Sequence, residues 1–266
     1  MTAGAYEQII EKIFSNHFKK GTASFDFDRE EISAVAKSLR VVPPKNLGDV
    51  VYSFRYRKSY PKSILDTCPK GYEWLIRGIA SSRYRFIQVP ATKIEPRQGL
   101  IQIKIPDSTP EIVSQYALSD EQALLAKVRY NRLIDIFTGV VTYSLQNHLR
   151  TQLEGGQIEV DELYVGISKQ GSQYIIPVQA KGGRDRHGRT QLEQDMALCA
   201  KKFPDLVCRP IAAQFLQDDA IAIFELTIND DHVEIVEEKH YKLVPANEIS
   251  AADLRAMNPV RNKNRS

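Results

Sequence analysis

Cysteine is scarce in this chain: Cys68, Cys199 and Cys208 are odd in number and widely spaced. They make no disulfide framework and no zinc-ligand spacing, and they read as buried or inert thiols. Long apolar runs are absent as well, with nothing approaching the roughly 20 residues of a membrane-spanning helix. The opening MTAGAYEQIIEKIF carries charges where a signal peptide is apolar. A cytoplasmic protein with no membrane partner is the expectation. His148 and His187 lack a Cys or Ser nucleophile beside them and read as surface or structural residues. Gly182, Gly183 and Gly188 lie among basic residues but lack the spacing of a phosphate-binding P-loop.

What is there is a chain of 266 residues, 42% hydrophobic and 26% charged, enough for one large domain or two modest ones with a proper core. The net charge of +3 is mild, but it is unevenly spread. Between Arg40 and Lys62 stand Arg40, Lys45, Arg55, Arg57, Lys58 and Lys62 against the single acid Asp49. The tail adds Arg255, Arg261, Lys263 and Arg265 without an acid, while Asp218 to Glu238 is acidic. Such segregation can give one positive face despite a near-neutral total.

Ile9, Ile10, Ile13, Phe14 and Phe18 keep helical spacing. Asp28 followed by Glu31 predicts a capping box and a helix over 29–39, stopped by Pro43–Pro44. A second helix is predicted from near Asn46, turning Val50, Val51 and Phe54 inward. Two strands around Ser81–Ser82 predict a hairpin with Trp74 in its core. Helix, helix and hairpin is a winged-helix-like order, in which a helix can enter the major groove of DNA. Lys45, Arg55, Arg57, Arg77, Arg83 and Arg85 are the candidate DNA contacts here, with Arg184 and Arg186 from a later basic loop; Arg189 there either touches the backbone or is solvated. Residues 90–119, rich in proline around the strand-like run Leu100–Ile105, read as a connector, which divides the chain into 1–115 and 116–266.

From Ser119, with Gln122 as a capping partner, a helical segment is expected, resuming as a second one over Val141–Leu153. Two strands follow, at about 157–166 and 173–181, then a helix over 191–203 and a buried strand over 206–215. In a strand alternate residues share a face, so Glu159 and Asp161 point one way, and Gln179 and Lys181 share a face of the next strand. A hairpin pairing can bring Asp161, Gln179 and Lys181 together. Mg²⁺ wants oxygen ligands and keeps several waters. Asp161, the Gln179 amide, the Ala180 carbonyl and Glu159 are the candidate ligands. Lys181 is placed to orient or deprotonate a water and to stabilise a phosphoryl transition state.

The layout resembles the PD-(D/E)XK nuclease superfamily, and type II restriction endonucleases within it, over about residues 119–215. The phrases GQIEVDELYVG, IIPVQAKGG and KNLGDVVYSFRYR carry the likeness. It implies an α/β fold with a restriction-endonuclease-like mixed sheet flanked by helices, behind an N-terminal α+β, winged-helix-like domain. It implies Mg²⁺-dependent cleavage of double-stranded DNA at a specific sequence, by a homodimer. Asp161 would be the metal-binding acid and Lys181 the catalytic lysine. Val160 stands where proline often precedes the acid, and Gln179 replaces the usual acid. That loss of charge keeps a non-catalytic DNA-binding regulator open as an alternative, beside a structure-specific repair or recombination nuclease.

Overall fold

Ile9, Ile10, Ile13 and Phe14 are buried along one side of α1 (Ala5–His17), as their spacing requires. The computed structural model describes residues 4–116, 121–153, 156–182 and 186–257. Ser119, Gly155, Gly183, Arg184 and the basic tail Arg261, Lys263 and Arg265 lie outside the described residues. After α1 come β1 (Ser24–Asp28), α2 (Arg29–Ser38), α3 (Gly48–Tyr56), α4 (Lys62–Leu65), β2 (Tyr72–Ala80) and β3 (Arg83–Pro90). The Asp28 amide donates to Glu31 Oε1 at 2.9 Å, closing the expected cap of α2. β2 and β3 form the hairpin, and β1 adds to β3 as a third antiparallel strand, giving the order β1-β3-β2. Phe27, Ile32, Val50, Val51, Phe54, Trp74 and Phe86 share one core with α1. The Trp74 indole donates to Thr67 Oγ1 at 2.9 Å, so its polar edge is satisfied although the ring is buried.

The rest of the chain supplies β4 (Gln102–Pro106), α5 (Glu111–Tyr116), α6 (Glu121–Tyr130), α7 (Leu133–Thr138), β5 (Val141–Leu153), β6 (Gly156–Ile167) and β7 (Gln173–Lys181). It continues with α8 (Arg189–Lys202), β8 (Val207–Cys208), β9 (Ile211–Phe215), β10 (Ile221–Asn229), β11 (His232–Val244) and α9 (Ala251–Ala256). An eight-stranded mixed sheet runs β4-β11-β10-β9-β7-β6-β5, with β8 beside β7. β7 and β9 are parallel, which demands a crossover, and α8 supplies it. Leu124, Leu125 and Val128 of α6 and Leu133, Ile134 and Phe137 of α7 cover Ile176, Val178 and Ala180 on one face. Leu198 and Cys199 of α8 pack on Ile175, and Leu192 on Ala212 and Phe224, on the other. The fold is α/β, a mixed sheet flanked by helices, with a separate small antiparallel sheet.

Three expectations need correction. Residues 141–153 are not a helix but β5, paired with β6 from Val141↔Ile167 to Leu153↔Gly156. Val141, Tyr143 and Leu145 alternate at period two, and pairing with the acid-bearing strand outweighs their weak helical spacing. The run within 100–105 is not part of a connector but β4, laid parallel to β11 from His240↔Gln102 to Val244↔Pro106. A division at 115 therefore puts a strand of the large sheet in the wrong unit, and the link between the two sheets is 91–101. The strand expected over 206–215 breaks at Arg209–Pro210 into β8 and β9, because proline cannot donate to the ladder.

Candidate active site

The ladder between β6 and β7 runs from Ile167↔Gln173 to Glu162↔Val178 and ends there. One residue past its end, Asp161 replaces a ladder partner: its Oδ2 accepts the Ala180 backbone N–H at 2.8 Å. Burial pushes the Asp161 carboxyl above the usual carboxylate range, against the Ala180 hydrogen bond and the Lys181 charge, which pull it down. Ala180 thus meets Asp161 through its N–H.

Gln179 is buried, and its Nε2 donates to Asp195 Oδ1 at 3.0 Å and to the Glu159 carbonyl at 3.2 Å. The carbonyl can only accept, which fixes which end of the amide is nitrogen. Among the described residues the buried Gln179 Oε1 has no hydrogen-bond partner. Asp195, on the inward side of α8, is itself buried, and that burial raises its carboxyl well above the ordinary value, against the Gln179 hydrogen bond. Lys181 Nζ lies 2.9 Å from Glu121 Oε1, at the first residue of α6.

Glu159 departs from its expected role. Its carboxylate turns to β5, where Arg150 Nη2 donates to Oε1 at 2.9 Å, and only its carbonyl touches Gln179. The two acids that a regular strand puts on one face thus have different partners, Arg150 for Glu159 and the Ala180 N–H for Asp161. His148 stands across β5 from this point, between the pairs Asn147↔Glu162 and Leu149↔Val160, with a left-handed backbone of φ 47. A non-glycine residue seldom holds that conformation, and such strain collects at functional sites. His148 Nδ1 is 3.7 Å from Glu159 Oε1, and the ring lies within electrostatic reach of Asp161.

A Mg²⁺ ion is commonly held by one or two carboxylates, water and substrate phosphate rather than by a cage of side chains. The residues fit that habit. Asp161 has Oδ1 to give, and Gln179 offers a buried oxygen that no group among the described residues satisfies. Among the described residues no group of three or more His, Cys, Asp or Glu side chains converges as a metal cage.

The candidate DNA contacts fall into two groups. Lys45 is exposed at the approach to α3, Arg57 stacks over Tyr52 at 5.0 Å, and Arg55 over Tyr56 at 5.3 Å. Tyr52 is within electrostatic reach of Arg150, so this face of α3 lies beside β5. The others are engaged in ion pairs. Arg85 binds Asp26 through Nε and Nη2 at 2.6 and 3.1 Å, Arg83 adds a contact at 3.3 Å, and Arg186 reaches Glu95 at 3.1 Å. Arg85 holds the Asp26 carboxyl below its usual range. Arg77 binds both oxygens of Glu193 on α8, at 3.0 and 2.5 Å. Arg189 is not solvated: it is buried and paired with Glu193 and Asp231.

Glu121 and Asp195 escaped the sequence reading. For Asp195 a signal existed: Leu192, Asp195 and Cys199 share helical spacing, so an acid stood on an apolar face. Glu121 had none, since an acid in the first turn of a helix is ordinary.

No family model matches the chain, and no solved structure matches it. A stretch of 83 residues, 30% of the chain, is 36% identical to part of an N-acetyl-D-glucosamine kinase of Erwinia tasmaniensis. The match covers 27% of that protein, so the chain spans about a quarter of the length of the curated relative it matches.

Proposed function

We propose that the protein is a Mg²⁺-dependent endonuclease of the PD-(D/E)XK type, which hydrolyses double-stranded DNA at a short specific sequence as a homodimer. One observation carries the reading. Where β6 and β7 part, the half-buried Asp161 carboxylate of β6 meets the end of β7, which carries the buried Gln179 amide oxygen, without a partner among the described residues, and Lys181. The kinase likeness covers too little of either chain to carry an activity across.

In this reading Asp161 Oδ1 and Gln179 Oε1 would hold the ion, which when bound lowers the pKa of water and offsets phosphate charge. Lys181 Nζ, released from Glu121 or shared with it, stabilises negative charge developing on the phosphoryl oxygens. Glu121 keeps that ammonium at the end of β7 while no substrate is present. The basic and aromatic face of α3, with Arg57 and Tyr52, lies against the duplex backbone beside β5. A two-fold dimer would match a palindromic site and cut both strands.

The test is a mixed-sequence plasmid incubated with purified protein in Mg²⁺ or EDTA, with Lys181→Ala and Asp161→Ala beside the wild type. Discrete fragments that need Mg²⁺ and vanish in both variants are expected. Binding without cutting in any divalent metal would overturn the reading and leave a regulator on a nuclease-like fold.

A further inference from the structure

Three consecutive residues of α8 face three different structures. Glu193 is gripped by Arg77 of β2, and the Gln194 Oε1 accepts the Tyr56 hydroxyl of α3 at 2.9 Å. Asp195 accepts the Gln179 amide at 3.0 Å. The helix is thus tied to the small unit through two residues, and the next one reaches the candidate site.

Asp195 is buried and accepts a hydrogen bond from Gln179. Gln179 Nε2 has its two acceptors, Asp195 Oδ1 and the Glu159 carbonyl, and Oε1, on the other branch of a planar amide, has none. Leaving a buried oxygen without a partner is costly, because it has lost its water and gained nothing in return. Two acceptors on one side of the amide therefore leave its oxygen for something the protein alone does not supply. A glutamate at 179 would set a third carboxylate beside Asp161 and Asp195 in a buried space, whereas glutamine offers a neutral oxygen and a donor.

We propose that Asp195 is a positioning residue: it holds the Gln179 amide so that Oε1 is presented as a ligand for the divalent ion, and the Arg77 and Tyr56 contacts seat the helix that carries it. The inference rests on the nuclease reading. It assigns the aiming of the amide oxygen that stands at 179 in place of the usual acid to an acceptor on α8.

The full chain is the material for the test. Two readouts are independent of cleavage: Mn²⁺ binding followed by the electron spin resonance of the free ion, and the side-chain amide signals of Gln179, assigned by their loss in Gln179→Glu. In Asp195→Ala the slow exchange of those amide protons is lost, and the Mn²⁺ dissociation constant rises about tenfold or more, the usual effect of removing an outer partner of a ligand. Asp195→Asn keeps an acceptor oxygen and stays within about threefold of wild type. Should Asp195→Ala fail to fold, the isosteric pair decides. Gln179→Glu alone weakens Mn²⁺ binding, and adding Asp195→Asn, whose amide can donate to the new carboxylate, restores it. Unchanged Gln179 signals and Mn²⁺ affinity in Asp195→Ala, or no rescue in the double variant, overturns the inference while a cutting wild type keeps the nuclease reading. A wild type that neither binds Mn²⁺ nor cuts overturns both.

Discussion

Lys181 Nζ sits 2.9 Å from Glu121 Oε1, so the last residue of β7 is anchored to the first residue of α6 across 60 positions of sequence. Lys181 is mostly covered, with 16% of its side chain exposed, and Glu121 is more open at 37%. Both members of the pair lie within electrostatic reach of Asp161.

Glu121→Gln keeps an acceptor near the ammonium but removes its charge. A charge-assisted hydrogen bond is roughly twice as strong as a neutral one. Lys181 then loses part of its positioning, and cleavage by the variant is expected to fall by about tenfold, near 1.4 kcal/mol in the barrier. The melting temperature should hardly move, because an ion pair with one open partner contributes little to stability. Plasmid cleavage rates beside a thermal melt check this; a large drop in melting temperature with unchanged cleavage would contradict it.

Arg57 and Arg77 were equal candidates for DNA contact, and their surroundings separate them. Arg57 lies over Tyr52 on the open face of α3, whereas both oxygens of Glu193 engage Arg77. Arg57→Ala is expected to reduce the slope of log affinity against log salt by about one phosphate contact. Arg77→Ala should leave that slope alone and cost about 1–2 kcal/mol of stability, since it removes a paired, partly covered guanidinium. Salt titrations of DNA binding and urea unfolding of both variants decide. Equal slopes with a stable Arg77→Ala would contradict the assignment.

His187 is buried against the Ala213 carbonyl, 3.1 Å from its Nε2, and burial with the Lys181 charge holds the imidazole down to about 4 from an ordinary 6.5. Above the ordinary value both folded and unfolded chains hold it neutral. Below it the unfolded chain takes a proton that the native site refuses, so stability is lost as pH falls from about 6.5 through about 4. The full loss is on the order of 3 kcal/mol. Unfolding free energy measured in urea at about pH 7.5 and about pH 4.5 should therefore fall more in wild type than in His187→Gln, carboxylate effects being common to both. The same fall in both proteins would exclude this role for the histidine.

Much of the frame was legible in local pattern. The helical spacing around Ile9 to Phe14, the Asp28–Glu31 cap and the hairpin about Ser81–Ser82 are short-range features, and each forms where its chemistry places it. The strand pair holding Asp161, Gln179 and Lys181 was legible for the same reason, since alternation and a turn are local. The failures all involve partners distant in sequence. β5 reads as weakly helical alone and becomes a strand because β6 pairs along its whole length. β4 reads as a link until β11, more than a hundred residues on, takes it as a neighbour.

The chain by itself determined which chemistry is on offer: an acid, an amide and a lysine on adjoining strands, a basic stretch around α3, and an α/β pattern of elements. Only the tertiary structure decided how those groups are aimed. It turned the Glu159 carboxylate away to Arg150, set Asp161 on the Ala180 amide, and brought Asp195 and Glu121 from two helices onto Gln179 and Lys181. Sequence spacing dictates the face of a strand, because the period of two is built into the backbone. The partner a side chain meets in that space depends on helix docking and on where a ladder ends, and both are set by burial and pairing over the whole sheet.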